Sequence, residues 1–332
     1  MKFLKPYLFL LITSTVFLVS CTNGKNEVTQ QKQIPEELTA TIQKLDNKVM
    51  GSLLSGEKGL LNPIVAADYK DIQNGIIDTL IRGVQYAGLQ DDFKVFDRFY
   101  ISNKELDTLV IKAQSGVNAF TLKNTNAYKE QVISLLLVTN DKDEYLVANE
   151  YAKVAGEWKL TRLRFGQYTV AGKTATQWYE EAKKNREKGY LVDAVNNLLL
   201  SSDVAYPIAG GTWEYTLAPE IKKFYTSTLR EAAKKYRLPM ELSTIESKPK
   251  IINISQKRVY EGYFPVIKYI TTIDLEDTEQ ARLENDKIHA QIDSICKGIT
   301  ADKKYLFYTA INRSQGNLKP RKSHQFVKEL TN

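Results

Sequence analysis

Histidine and cysteine are nearly absent, with two of each in 332 residues. So few imidazoles and thiols exclude a His-rich metal centre, a cysteine-based zinc ribbon and a disulfide framework. Long apolar runs are lacking too. The stretch from Tyr7 to Val19 covers 13 residues and contains Thr13, Ser14 and Thr15, whereas a bilayer-spanning helix needs about 20. No Gly-x-Ser-x-Gly nucleophile elbow occurs. What is present is ordinary globular chemistry, 43% hydrophobic and 26% charged with a net charge of +7. At roughly 100–200 residues per domain, the length suits two domains or three small ones.

Lys2 and Lys5 precede the Tyr7–Val19 run, and small residues follow it, which is the order of a secretory signal. Leu18-Val19-Ser20-Cys21 resembles the lipobox of bacterial lipoproteins. The resemblance implies that residues 1–20 are a signal peptide removed before Cys21. Cys21 would then carry a diacylglyceryl thioether, and its new amine would be acylated. Two or more acyl chains hold a protein on a membrane stably, whereas one does not. The implied location is the cell envelope, lipid-anchored. Thr22 stands where an Asp would resemble an inner-membrane retention signal, so the outer membrane facing the periplasm is the expected site. Cleavage removes Lys2 and Lys5, leaving a net charge of +5. Cys296 is then the only thiol not consumed by lipid, and it is expected to be buried.

Residues 21–37 are polar around Gln30-Gln31-Lys32-Gln33 and read as a flexible tether. Leu38, Ile42, Leu45, Val49 and Leu53 recur at helical spacing, and Ile72 to Val84 marks a second, broadly apolar helix over about 66–87. From Phe93 to Val170, runs of Val, Tyr, Phe and Leu alternate with turn clusters and predict antiparallel strands, with Gln131–Thr139 central. Two helices followed by a strand meander over about 60–170 resemble the cone-shaped fold of the nuclear transport factor 2-like superfamily, and also cystatin-like sheets. That likeness is architectural and says little about function.

Helical periodicity returns over 171–238. Trp178, Ala182, Gly189, Ala194 and Leu198 resemble a single tetratricopeptide-like repeat. One repeat cannot bury its own face, so it either recognises a partner or packs as a hairpin on the preceding sheet. A further helix spans Pro219–Tyr236. Residues 250–332 read as a small ββαβ domain with a basic tail, in which residues 300–332 carry seven basic and two acidic side chains. The fold class expected is therefore α+β: an antiparallel curved sheet with packed helices over 38–170, then a helical hairpin segment, then the ββαβ domain.

Candidate chemistry is thin. Gly172-Lys173-Thr174 ends like a phosphate-binding loop, but the required glycine position holds Gln167. Thr174 and Gln177 instead form a capping box that starts a helix. Asp141-Lys142-Asp143-Glu144 lacks the spacing of a calcium loop and reads as a hairpin turn. His289 and Cys296 lie seven apart on one helix, about 10 Å between Cα atoms, too far for a dyad. His324 belongs to the basic tail and reads as solvated. Tyr145, Tyr151 and Trp158, with Phe165 and Tyr168, are candidates for lining a ligand pocket inside the sheet, although alternation also places aromatics in ordinary cores.

No catalytic set, cofactor site or metal site emerges, so an enzyme is not expected. The expected function is a membrane-anchored envelope lipoprotein, a non-enzymatic binding or assembly component that uses its helical segment and strand edges. The alternative is a small-ligand-binding or enzymatic module with a pocket in the 60–170 sheet. Expected partners are the membrane through the N-terminal lipid, and an envelope protein or an anionic envelope polymer met by the basic tail (Lys319, Arg321, Lys322 and Lys328). Nucleic acid is not expected.

Overall fold

The computed structural model describes residues 26–69, 75–103, 108–115, 117–125, 128–208, 212–312 and 322–330. Residues 1–25, with Cys21 and the segment expected to be a signal peptide, lie outside the described residues, as do Lys319 and Arg321. The architecture is α+β, built on three hydrophobic cores.

The main sheet contains β1 (Asn26–Gln30), β2 (Phe93–Asn103), β5 (Glu130–Thr139), β6 (Glu144–Val154) and β7 (Glu157–Gln167), in the antiparallel order β1-β2-β5-β6-β7. Strand β5 is the middle strand and is buried on both faces, as its apolar run, interrupted between Val132 and Val138 by Ser134 alone, demands. On one face lie α1 (Glu36–Ser55) and α2 (Ile76–Ala87). Ile42, Val49 and Leu53 of α1 and Ile77, Ile81 and Val84 of α2 pack there against Val132, Leu136 and Val147.

The opposite face is covered differently. A small sheet of β3 (Thr108–Ser115), β4 (Asn118–Thr125) and β8 (Trp213–Tyr215) packs on it. Beside it lie α3 (Ala175–Glu187), α4 (Leu191–Asp203) and α5 (Ala218–Lys235). Ala175, Trp178, Tyr179, Ala182 and Leu198 join Phe99, Leu135 and Leu146 in one core. The α3–α4 hairpin thus spends its repeat-like small and aromatic positions on the sheet, the packing alternative of the two expected. Its start is the capping box foreseen: Gln177 N–H donates to Thr174 Oγ1, and Thr174 N–H donates to the Gln177 side chain.

The C-terminal sheet has the order β13-β12-β11-β10-β9, formed by β9 (Met240–Glu241), β10 (Lys250–Val259), β11 (Gly262–Thr271), β12 (Tyr305–Asn312) and β13 (Ser323–Glu329). Helix α6 (Thr278–Ile295) carries the parallel crossover from β11 to β12, which realises the ββαβ pattern. The third core lies under α6, where Ile288, Ile292 and Cys296 meet Ile267, Tyr269, Leu306 and Tyr308.

Two expectations are corrected. The stretch read as a flexible tether supplies β1, which pairs with β2 from Asn26↔Asn103 to Gln30↔Phe99. An edge strand needs few apolar residues. Val28 suffices here, and the Gln30 side chain donates to the Asp97 carboxylate at 2.7 Å. Likewise, part of the basic tail is the edge strand β13, with Phe326 and Leu330 packed on the third core. Its His324 is half-buried rather than solvated, its ring 4.6 Å from that of Phe326. Lys322 pairs with Glu276, and Lys328 pairs with Asp286.

The C-terminal unit is docked, not loosely linked. Leu191, Val192, Ala232 and Tyr236 of the helical segment belong to its core. Lys303 Nζ meets the buried Asp193 carboxylate at 2.8 Å. A Cβ added to Gly298, at φ +82, would come within 2.3 Å of the Tyr190 ring, so only glycine permits that approach. At the other end, Arg258 reaches Asp143 at 3.2 Å, and Lys142 Nζ sits 3.3 Å from the Tyr260 ring centroid.

Candidate functional site

The polar hollow on the main sheet opens at the junction of β2, β4, β5, β6 and the β7–α3 connection. It measures about 440 Å³ and is lined by Lys94, Phe96, Asn118, Leu137, Glu144, Tyr168, Thr169, Thr174 and Gln177, among others. Its floor is aromatic, because Phe96 lies edge-on to Tyr168 with ring centroids 5.4 Å apart. Its walls are polar and held in place. Asn118 donates to the Tyr168 hydroxyl at 3.1 Å, and the Thr174 hydroxyl lies 3.4 Å from the Asn118 carbonyl. The Thr169 hydroxyl accepts from Glu144 N–H at 2.7 Å. Burial raises the pKa of the Tyr168 phenol, which therefore stays protonated as a hydrogen-bonding group.

At the rim, Lys94 Nζ and Glu144 Oε1 are 3.4 Å apart, and the Lys94 side chain is 67% exposed. A long, solvated pair of this kind is worth little, about 0–1 kcal/mol. A ligand bringing its own carboxylate and amine can replace each partner at small cost. Gln177 is also exposed at the rim.

Of the pocket residues expected from sequence, Tyr168 lies at this hollow, and the others lie elsewhere. Tyr145, Tyr151 and Trp158 all face the opposite side of the sheet, in the core beneath α1 and α2. Tyr145 stacks on Phe165 with centroids 5.3 Å apart, and Trp158 lies edge-on to Tyr100. Tyr151 is fully buried, and its hydroxyl donates to Asp46 at 2.8 Å. The three share one face of the sheet, and that face is the one the helices cover.

Asp46 organises the polar group inside that core. It is fully buried, and each carboxylate oxygen accepts two hydrogen bonds. Oδ1 takes Asn149 Nδ2 and Tyr151 O–H, both at 2.8 Å. Oδ2 takes Arg98 Nη2 and Ser134 O–H, both at 2.7 Å. Arg98, equally buried, also donates through Nε to Ser134 and through Nη2 to Gln43. With four donors the carboxylate has no free lone pair to offer a substrate, so the cluster pins α1 to β2, β5 and β6. Burial and the adjacent Asp46 charge push the Tyr151 phenol well above its ordinary pKa. The sequence signal was an acid inside an apolar helical stripe, three residues before Val49, with Arg98 inside an apolar strand.

The remaining candidates are structural. Cys296 is buried, and that burial raises its thiol to about 12. His289 Nδ1 lies 2.9 Å from the Tyr308 hydroxyl. Among the described residues no group of His, Cys, Asp and Glu is arranged to hold a metal ion, and no helix is long and apolar enough to cross a membrane. No family model matches the chain, and no curated protein or solved structure matches it significantly.

Proposed function

We propose that the protein is a lipid-anchored binding component of the bacterial cell envelope, non-enzymatic, held through Cys21 at the outer membrane facing the periplasm. The anchor reading rests on the Leu18–Cys21 lipobox-like sequence. The binding reading is carried by one observation, the open polar cleft rimmed by Lys94, Glu144 and Gln177 over an aromatic floor. Its chemistry suits a small polar molecule carrying both an amine and a carboxylate, with an apolar portion resting on Phe96 and Tyr168. Sites of this kind combine a few placed polar groups with apolar surface. The cleft shifts the emphasis within the binding reading from the helical segment to the sheet, because the α3–α4 hairpin packs its repeat-like positions inward.

The test is native mass spectrometry of the chain from Thr22 onward, which holds every described element, after incubation with an extract of the source envelope. The expected result is a stoichiometric small adduct, lost when Lys94→Glu and Gln177→Leu are combined. An adduct unaffected by these changes, or none at all, would remove the cleft from the account.

A further inference from the structure

Exposed lysines and arginines without an ion pair among the described residues occur on several elements, whereas Lys322 and Lys328 of the basic tail are paired. The outward side of α5 aligns three of the unpaired ones. Lys223, Arg230 and Lys234 recur at intervals of seven and four, which places them in one line along the helix, opposite the buried Ile221, Thr228 and Ala232. All three are exposed, and none forms an ion pair among the described residues. Lys234 is in the last turn, where a cation complements the helix dipole, but Lys223 and Arg230 are too far from the end for that explanation.

The line runs into a hollow of about 400 Å³ floored by Gly189 and Leu191 and walled by Lys234 and Lys235. Next to Gly189, Lys297 donates to the Lys188 carbonyl at 3.0 Å, and the Lys188 and Lys297 ammonium groups each lie 5.8 Å from the Tyr190 ring centroid. The acid there, Glu231, is already engaged by Arg186 at 2.8 Å. Leu229 and Leu238 are exposed apolar side chains on the same helix and just beyond it. A basic surface with scattered exposed leucines matches the chemistry of a bilayer interface rich in anionic headgroups.

Chain length supplies an independent argument, which rests on the reading of Cys21 as the lipid anchor. Because residues from Asn26 onward are pinned in the sheet, only five residue steps separate the acylated cysteine from the folded body. At about 3.6 Å per residue that is a leash of at most roughly 18 Å. A tether through residue 37 would have allowed about three times as much. The folded body must therefore lie against the membrane that holds the lipid.

We infer that the α5 face bearing Lys223, Arg230 and Lys234, with the adjoining hollow, is the membrane-facing surface and binds the phosphates of anionic phospholipids. Each basic residue near an anionic surface strengthens binding, and high salt weakens it.

The experiment uses the acyl-free chain from Thr22 onward, so that it does not depend on lipid attachment; palmitate labelling of the full-length protein in cells, with Cys21→Ser as control, reports separately on the anchor. Co-sedimentation is measured with vesicles of 30% phosphatidylglycerol in phosphatidylcholine and with pure phosphatidylcholine. The expected result is salt-sensitive binding to the anionic vesicles only. Combining Lys223→Glu, Arg230→Glu and Lys234→Glu should weaken it by about a hundredfold or more, and the corresponding glutamine triple variant by an intermediate amount. The control pair Lys44→Glu and Lys48→Glu, on exposed α1 positions without ion pairs among the described residues, should retain binding. Equal binding to neutral vesicles, equal loss in the α1 control, no vesicle binding, or binding only to a soluble anionic polymer would each overturn the inference.

Discussion

Replacing Asp46 with alanine removes the acceptor of four hydrogen bonds and leaves the Arg98 guanidinium, 2% exposed, without its counter-ion. Breaking a buried pair by deleting one partner costs about 3–5 kcal/mol, because an uncompensated charge stays behind. Ser134, Asn149 and Tyr151 lose their acceptor as well, which places Asp46→Ala at or above the upper end. With a urea slope of about 3 kcal/mol/M or more for a chain of this size, the midpoint should fall by about 1 M or more, followed by far-UV circular dichroism. Combining Asp46→Leu with Arg98→Met should recover most of that loss, since well-packed apolar replacements of buried ion pairs are often neutral or stabilising. A single-variant loss below about 1 kcal/mol would refute the reasoning, because it would mean that water or a rearranged side chain already serves these groups.

Tyr151→Phe should cost about 2 kcal/mol, as for a hydrogen bond to a charged acceptor, and leave any cleft ligand bound; loss of ligand with unchanged stability would return Tyr151 to a pocket. Trp158→Ala should likewise lower the midpoint without affecting the ligand. Gly166→Ala brings a Cβ to 1.5 Å from the Pro207 carbonyl oxygen, so it should displace the α4–β8 connection and yield little folded protein; a wild-type melting temperature would contradict the close approach. The Cys296 thiol, raised to about 12 by burial, should resist iodoacetamide at pH 8 in the native state and react on unfolding. Its folded pKa lies above that of an open thiol, so native reactivity should rise only in strongly alkaline solution.

Much of the fold was legible because its elements satisfy local rules. The stripe Ile42-Val49-Leu53, the capping box at Thr174 and Gln177, and the two-sided apolar run of β5 each reflect a single periodicity. Edge strands escaped for the opposite reason. Strand β1 is specified by backbone pairing with β2 and one inward Val28, and β13 alternates polar residues with Phe326. Their sequences therefore look like a tether and a charged tail. Of the cleft, only the aromatic Tyr168 was legible. Lys94, Asn118, Glu144 and Gln177 come from four separate segments whose meeting depends on how the small sheet and α3 settle on the main one. For Tyr145, Tyr151 and Trp158, nothing local says which face of the sheet the two preceding helices will cover.

The most direct test of the central claim, a binding cleft on an anchored body, is site-specific photocrosslinking in the living source cell. A benzoylphenylalanine placed at the exposed Gln177 rim, in the full-length protein, is compared with one at the exposed Lys112 on β3. The account predicts a discrete small-mass adduct at position 177 that is absent at 112 and is suppressed by Lys94→Glu. No adduct at 177, or the same adducts at both positions, would contradict it.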